Sequence, residues 1–208
     1  MASADLIGRI ESRLLRRPDG AGLDSTMEPD WQPDIPFDRP PVPAAVLLGL
    51  VRRPDGFSVL YTERSPDLRA HSGQIAFPGG KIDPTDVDAA DAALREAWEE
   101  VDLDRGDARI LGFLPTYFTG TNYLITPVVA VVEPSRPFVP NPREVRAVFE
   151  VPLEWLMDAG NFGTYRVSRN GREHTTPQIV HGEFVIWGIT ANLTRIFRDL
   201  ALAPELGA

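Results

Sequence analysis

Apolar residues follow two rhythms along this chain. Between residues 3 and 17 they recur at helical spacing, with Ile7, Ile10 and Leu14 in one stripe and Ser3 where an N-cap would stand. From Ala44 to Val51 the apolar run is unbroken, which predicts a buried strand. Pro54-Asp55-Gly56 signals a turn, and Phe57–Thr62 predicts the returning arm of a hairpin. A loop through Gly73 precedes a short strand near Gln74–Phe77. Asp88–Val101 is Ala-rich, acidic early and free of Gly and Pro, which predicts a helix. Arg109–Tyr117 and Tyr123–Val132 read as strands, and Val148–Val151 as a short strand leading into a helix around Leu153–Asp158. Tyr165–Ser168 and Gln178–Trp187 read as strands, with turns at Asn170-Gly171 and His181-Gly182. Ile189–Leu202 predicts a closing helix with Leu193, Ile196, Phe197 and Leu200 on one face.

Strands and helices alternate irregularly and nothing repeats. That predicts an α/β (α+β) fold built on a mixed sheet with helices on both faces. Residues 18–43 are rich in Pro, Asp and Gly and read as an extended connector. The chain therefore divides into 1–43, a helix and a Pro-rich connector, and 44–205, a compact domain. Pro134–Pro142 is a second Pro-rich loop. The helix at 3–17 is either the arm of a homodimer or a cover for the domain's flank.

Composition narrows the chemistry. With 208 residues, 43 % of them hydrophobic, the chain can bury a full core. The absence of cysteine excludes disulfides, thiolate nucleophiles and cysteine metal sites. No apolar run is long enough to span a membrane, and Met1–Arg17 has no secretory apolar segment, so a cytoplasmic location is expected. A net charge of −9 argues against nucleic-acid and membrane-surface partners. It also means that an anionic substrate needs local help from a metal or from arginines. Of the 21 basic residues all but Lys81 are Arg, which suits phosphate recognition but is equally an ordinary composition bias.

The sharpest chemical signal is Arg95-Glu96-Ala97-Trp98-Glu99-Glu100, with Phe77-Pro78-Gly79-Gly80 upstream. On a helix, Glu96, Glu99 and Glu100 share a face, where they repel and raise one another's pKa unless a cation intervenes. Mg²⁺ and Mn²⁺ take oxygen ligands and suit such a face. The glycines let backbone approach the metal or a phosphate closely. The alternative is a solvated helix face, but acids in the C-terminal half of a helix oppose its dipole. Trp98 reads as the apolar anchor of the helix. Tyr117, Phe118 and Tyr123 read as core residues, with stacking on a base as the alternative.

These residues resemble the Nudix box: Gly, five residues, Glu, seven residues, then Arg-Glu-apolar-x-Glu-Glu-x-Gly-apolar. Here Gly80, Asp86 and Arg95–Leu103 fill it, with Asp86 for Glu, eight residues in place of seven, and Asp102 for Gly. Asp tolerates the left-handed conformation, so the helix end survives that change. Upstream, Leu60-Tyr61-Thr62-Glu63-Arg64-Ser65, Arg69, Gly73 and Phe77–Gly80 resemble the signature of the coenzyme A pyrophosphatase branch, with Tyr61 for Leu the one mismatch. The two motifs span residues 60–103, and weaker echoes occur at Thr126–Val129, Asn141–Val145 and Trp187–Thr190.

The resemblance implies a Nudix-type α/β/α sandwich that hydrolyses a phosphoanhydride with Mg²⁺ or Mn²⁺. In the CoA branch the expected products are 3′,5′-ADP and 4′-phosphopantetheine. It implies Glu96 and Glu100, with Glu99, as metal ligands, Arg95 as their orienting partner, and Gly79 and Gly80 as backbone facing the site. The general base is Glu144 or Glu99, with an ordinary strand-end acid as the plain reading of Glu144. Arg64 and Arg69 would clamp the substrate's anionic groups, or else pair at the surface with Asp67 or Glu63. His71 touches substrate or is an ordinary loop histidine. The competing activities are hydrolysis of ADP-ribose, NADH or a nucleoside triphosphate, and nucleotide sensing without cleavage.

Overall fold

A computed structural model describes residues 3–18, 38–67, 73–169 and 172–201. Strand β1 (Val42–Arg53) is the axis of the sheet. It runs parallel to β7 (Tyr123–Val132) along ten residue pairs, from Val42 opposite Tyr123 to Val51 opposite Val132. Its far half turns back into β2 (Gly56–Arg64) at Gly56, whose positive φ of 136° suits the tight turn. β2 carries β8 (Val145–Pro152) on its other edge, and β7 carries β5 (Ala108–Phe113) and β6 (Tyr117–Phe118).

Strands β1 and β2 pair only from Leu50 and Val59 onward, so they diverge as a fork. Residues 75–81 fill it. β3 (Ile75–Ala76) pairs with β2 and β4 (Gly79–Lys81) pairs with β1, while Leu47 N–H donates to Pro78 C=O at 2.8 Å. Among the described residues these eight strands form one mixed sheet, as the sequence predicts.

Alternation along the strands builds two cores. Ala45, Leu47 and Val51 with Leu60, Val128, Ala130 and Val132 face one way. They pack on α2 (Ala89–Val101) through Ala92, Ala93, Ala97 and Val101. Leu48, Leu50, Val59, Tyr61, Val129 and Val131 face the other way. There they meet α1 (Ser3–Arg13) through Ile7 and Ile10, α3 (Leu153–Met157) through Leu156, and α4 (Gly188–Ala201) through Leu193, Ile196 and Phe197. The unbroken apolar runs of β1 and β7 are thus what a strand covered on both faces requires.

The structure corrects several expectations. Trp98 is 54 % exposed, because small alanines and Val101 take the sheet-facing side of α2. Leu200 also lies outside the apolar face of α4, at 46 % exposure. The strand expected over Arg109–Tyr117 breaks after Phe113; Pro115 has no N–H to give, and pairing resumes only at Tyr117. Gln178–Trp187 is two strands, β10 (Arg172–His181) and β11 (Phe184–Trp187), folded at Gly182. With β9 (Phe162–Arg169) they make a separate antiparallel sheet, which the sequence reading did not separate from the main one. The connector at 19–37, the side chain of Ser3 and the Asn170-Gly171 turn lie outside the described residues.

The two helix faces make opposite predictions for stability. Ile10 is fully buried, so Ile10→Ala is expected to cost about 2–5 kcal/mol. Trp98→Ala is expected to change stability by no more than about 0.5 kcal/mol. Urea unfolding followed by circular dichroism measures both, and a large loss for Trp98→Ala would restore it to the core.

Candidate functional site

Helix α2 starts with a reciprocal cap. The Asp88 side chain accepts from Asp91 N–H at 2.9 Å, and the Asp91 carboxylate accepts from Val87 N–H at 3.0 Å. The helix ends at Asp102, in the left-handed conformation with φ 57° and ψ 34°, which the sequence reading allowed for Asp. Its last carbonyls are also satisfied from outside. Val139 N–H donates to Val101 C=O, Asn141 N–H to Glu100 C=O, and the Asn141 side chain to Glu99 C=O. The second Pro-rich loop therefore fixes the turn that carries Glu99 and Glu100.

The small inner face lets α2 lie close to the sheet, so Glu96 and Glu100 reach the fork. Glu100 is buried, with a side chain 3 % exposed. Gly79 N–H donates to its Oε2 at 3.3 Å, and Arg64 Nη1 stands 3.8 Å from its Oε1. Arg64 is set at a β-bulge, where the β2–β8 register shifts between Glu63 and Arg64. It is anchored by Gln74 C=O, which accepts from Arg64 N–H, and by Gly73 N–H, which donates to Arg64 C=O. Its Nε is buried and has no hydrogen-bond partner among the described residues. Glu63 pairs instead with Arg146 at 3.3 Å.

Gly79 is sterically required, and Gly80 leaves room for a carboxylate. A Cβ on Gly79 would sit 2.7 Å from Val46 Cα and overlap the Ala45 carbonyl. A Cβ on Gly80 would lie 2.5 Å from the Glu96 carboxyl carbon, so any side chain there displaces that carboxylate.

Arg95 organises the acids from the side. Its Nε and Nη2 donate to the two oxygens of Asp86 at 2.9 and 3.0 Å, a bidentate pair. Nη1 donates to Glu96 at 3.0 Å and reaches Glu99 at 3.4 Å, while Nη2 also donates to Lys81 C=O. Hydrogen bonding from Arg95 holds the Asp86 carboxyl below its ordinary pKa, and the same bond raises Arg95. Asp86, the doubtful position of the box, thus carries the fork that holds Arg95.

Burial dominates the two inner carboxylates. Desolvation raises Glu96, against the hydrogen bond from Arg95. Desolvation pushes Glu100 up to about 8; Arg64 opposes the shift, and the charges of Glu96 and Glu144 add to it. Such perturbed carboxylates in a cleft mark a functional site.

The cleft is a cavity of about 680 Å³. Glu96, Glu100, Glu144, Arg64, Gly79 and Gly80 all line it. Glu144 is half-buried, and its carbonyl accepts from Ser65 N–H at 2.8 Å, next to Arg64. Glu99 does not line it: it is exposed, turned toward Arg95. Tyr117 and Tyr123 line the wall, and the buried Tyr117 hydroxyl accepts from Asn192 at 3.1 Å. Arg69 and His71 lie outside the described residues. Lys81, Thr175, Thr176 and Trp187 also line the cavity. The sequence reading missed them as site residues. Lys81 directly follows the glycine turn with nothing in the sequence to mark it as a site residue, and Thr175, Thr176 and Trp187 lie on strands late in the chain, which give no local signal of what they face.

Among the described residues no three acidic or histidine side chains converge in a ready metal-binding group. The donors that do approach one another, Glu96 and Glu100, are hard carboxylate oxygens. Glu100 is buried beyond what Arg64 alone offsets, and Gly80 leaves room for Glu96 against the backbone. That set fits Mg²⁺ or Mn²⁺, which bind through one or two carboxylates and take the rest of their shell from water and substrate phosphates.

A family model described as the NUDIX domain matches residues 41–170. The chain is 42 % identical over 159 residues to an uncharacterized Nudix hydrolase, NudL, of Escherichia coli strain K12, over 76 % of this chain and 81 % of that protein. Among solved structures, a Nudix hydrolase from M. smegmatis, RenU, matches with a TM-score of 0.53 and 21 % identity, over 82 % of this chain and 92 % of that one. A MutT/nudix family protein from Enterococcus faecalis matches at 0.50 and 15 %, over 80 % and 63 %. At those identities the two structures bear on the fold alone.

The raised Glu100 pKa has a thermodynamic sign. Its value of about 8 in the folded chain stands above the ordinary 4.5, so the metal-free folded state holds that proton more tightly than the unfolded state. The stability it adds is complete below about pH 4.5 and is lost as the pH rises toward about 8. Melting temperatures in chelator from about pH 5 to 8 are expected to fall more steeply for the native chain than for Glu100→Gln. Parallel curves would mean that Glu100 titrates as an ordinary carboxylate.

Proposed function

We propose, for a chain that belongs to the Nudix family, that its reaction is hydrolysis of the diphosphate bond of coenzyme A to 3′,5′-ADP and 4′-phosphopantetheine. Phosphoanhydride hydrolysis is the coarser activity that family membership carries, and the family generally uses divalent metals. CoA is the narrower reading, supported by the Leu60–Gly80 signature directly ahead of the box. The observation that carries the site is Glu100. It is a buried carboxylate, raised in pKa, that shares one cavity with Glu96, Glu144 and the partly unsatisfied Arg64.

Glu96 and Glu100 would hold Mg²⁺ or Mn²⁺, whose chemistry is to neutralise phosphate charge and to lower the pKa of bound water. Each residue around them has a separable task. Arg95, clamped by Asp86, keeps Glu96 directed at the fork. Gly80 leaves the space that carboxylate occupies, and Gly79 N–H orients Glu100. Arg64, which lines the cavity beside Glu100, binds phosphate oxygens through its guanidinium. Glu144 accepts the proton of the attacking water: it lines the cavity, whereas Glu99 is exposed and engaged by Arg95. Glu99 is then an outer contributor to the carboxylate face.

Incubation with CoA and Mg²⁺ or Mn²⁺ is expected to release 3′,5′-ADP. No product at any metal concentration, with turnover of ADP-ribose, NADH or a nucleoside triphosphate, overturns the substrate. Binding of these nucleotides with no turnover of any would favour a sensor. Glu144→Gln is expected to lower kcat by roughly 10²–10⁴-fold with little change in KM, the usual span for a general base. Glu99→Gln is expected to fall far less, and the opposite order would exchange their roles. Glu100→Gln should lose activity by orders of magnitude with the fold intact by circular dichroism.

A further inference from the structure

The cavity is chemically two-ended. Its charged lining residues, among those described, are Arg64, Lys81, Glu96, Glu100 and Glu144, which come from the end of β2, from β4, from α2 and from the loop before β8. Among the described residues, the wall contributed by the second sheet is Val167, Thr175, Thr176 and Trp187, with no charge. That sheet has two faces. Ile179 and Ile186 turn into the core, with Phe162 and Phe184 packed against it. Trp187, one residue past Ile186, therefore points the other way. It is not part of the core cluster. Its ring is backed by Tyr165 from the opposite edge strand, at 5.0 Å between centroids and 30° between planes. The registers explain the meeting: Tyr165 pairs with Thr176, and Trp187 with Gln178, two residues along β10.

A large aromatic ring that the core does not take, supported by a second ring, in an uncharged cavity wall, is a stacking platform. We infer that this wall is the nucleobase subsite, with Trp187 stacking on the base of the nucleotide whose diphosphate lies at Glu96 and Glu100. A rigid planar base loses little freedom on binding, whereas a pantetheine arm would surrender many rotors to the same uncharged wall. The wall thus fixes the substrate's orientation: the base lies on the second sheet and the other half of the diphosphate ester leads out of the cleft. The inference rests on the proposed phosphoanhydride chemistry only for which bond lies at the carboxylates. The stacking itself does not require that CoA be the substrate.

Intrinsic fluorescence of the full chain, titrated with 3′,5′-ADP, AMP, ribose 5-phosphate and 4′-phosphopantetheine, tests it without turnover. The two base-bearing ligands are expected to quench, and the two without a base are not. Trp187→Leu should abolish the quench and raise the Kd for 3′,5′-ADP about tenfold or more. Trp187→Phe should restore most of that affinity, while ribose 5-phosphate should bind the native chain and Trp187→Leu alike, which a general structural loss at the cavity would not allow. Trp98→Phe, at the exposed face of α2, should keep the quench. A quench that survives in Trp187→Leu, or one produced by 4′-phosphopantetheine, overturns the assignment. Trp187-dependent quenching by 3′,5′-ADP in a chain that does not cleave CoA leaves the subsite standing and removes only the substrate.

Discussion

The site depends on burying one carboxylate where the sheet divides. Glu100 sits in the fork between β1 and β2, where Gly79 N–H donates to it and the Arg64 guanidinium stands 3.8 Å away, with Glu96 and Glu144 as like charges nearby. Desolvation outweighs the N–H and the guanidinium, which is why its pKa climbs. A charge in that position needs more positive charge than the chain supplies. Everything near it makes the burial possible: the alanine face that brings α2 down onto the sheet, the loop that seals the helix end, and a glycine at 79 where a Cβ would collide with Val46.

A second constraint follows from packing several acids together. Repulsion among Glu96, Glu99 and Glu100 would turn the side chains outward if nothing held them. Arg95 holds two of them, but a long side chain with many rotamers is a poor anchor unless it is fixed itself. Asp86 fixes it with a bidentate contact from a nearly buried side chain. Asp is one methylene shorter than the Glu of the common pattern, and the spacer is one residue longer. Both changes act on how far the loop reaches toward Arg95, and here the contact closes at about 3 Å.

Much of this was legible because it is local. The helix over 88–101, the Asp102 cap, the continuous strands at Ala44–Val51 and Tyr123–Val132, and the proximity of the Gly-Gly turn to the glutamates all follow from short-range pattern. Trp98 was misread because periodicity gives the face of a helix only after one knows that its small residues, not its large one, touch the sheet. The Arg109–Tyr117 strand was overextended across Pro115. The split of Gln178–Trp187 into two strands was missed because the residues flanking Gly182 remain strand-like. The neutral half of the cavity was illegible for a deeper reason. Its residues come from strands far along the chain, and what a strand residue faces is decided by tertiary pairing.

The two halves of the cleft therefore have different origins. The charged half is assembled from residues 64–100 and residue 144, close to one motif and held by hydrogen bonds that tolerate little change. The neutral half is supplied by β9–β11, a sheet whose inner face packs on the core and whose outer face is free of that duty. Chemistry at the fork is constrained by the cost of misplacing a buried carboxylate. Recognition at the second sheet is constrained by shape and polarity, with Trp187 and Tyr165 packed on each other outside the core cluster. Substitution can thus change what the cleft holds at one end while the bond broken at the other stays the same. A cleft built this way draws one of its two recognition walls from the part of the chain that a catalytic motif says least about.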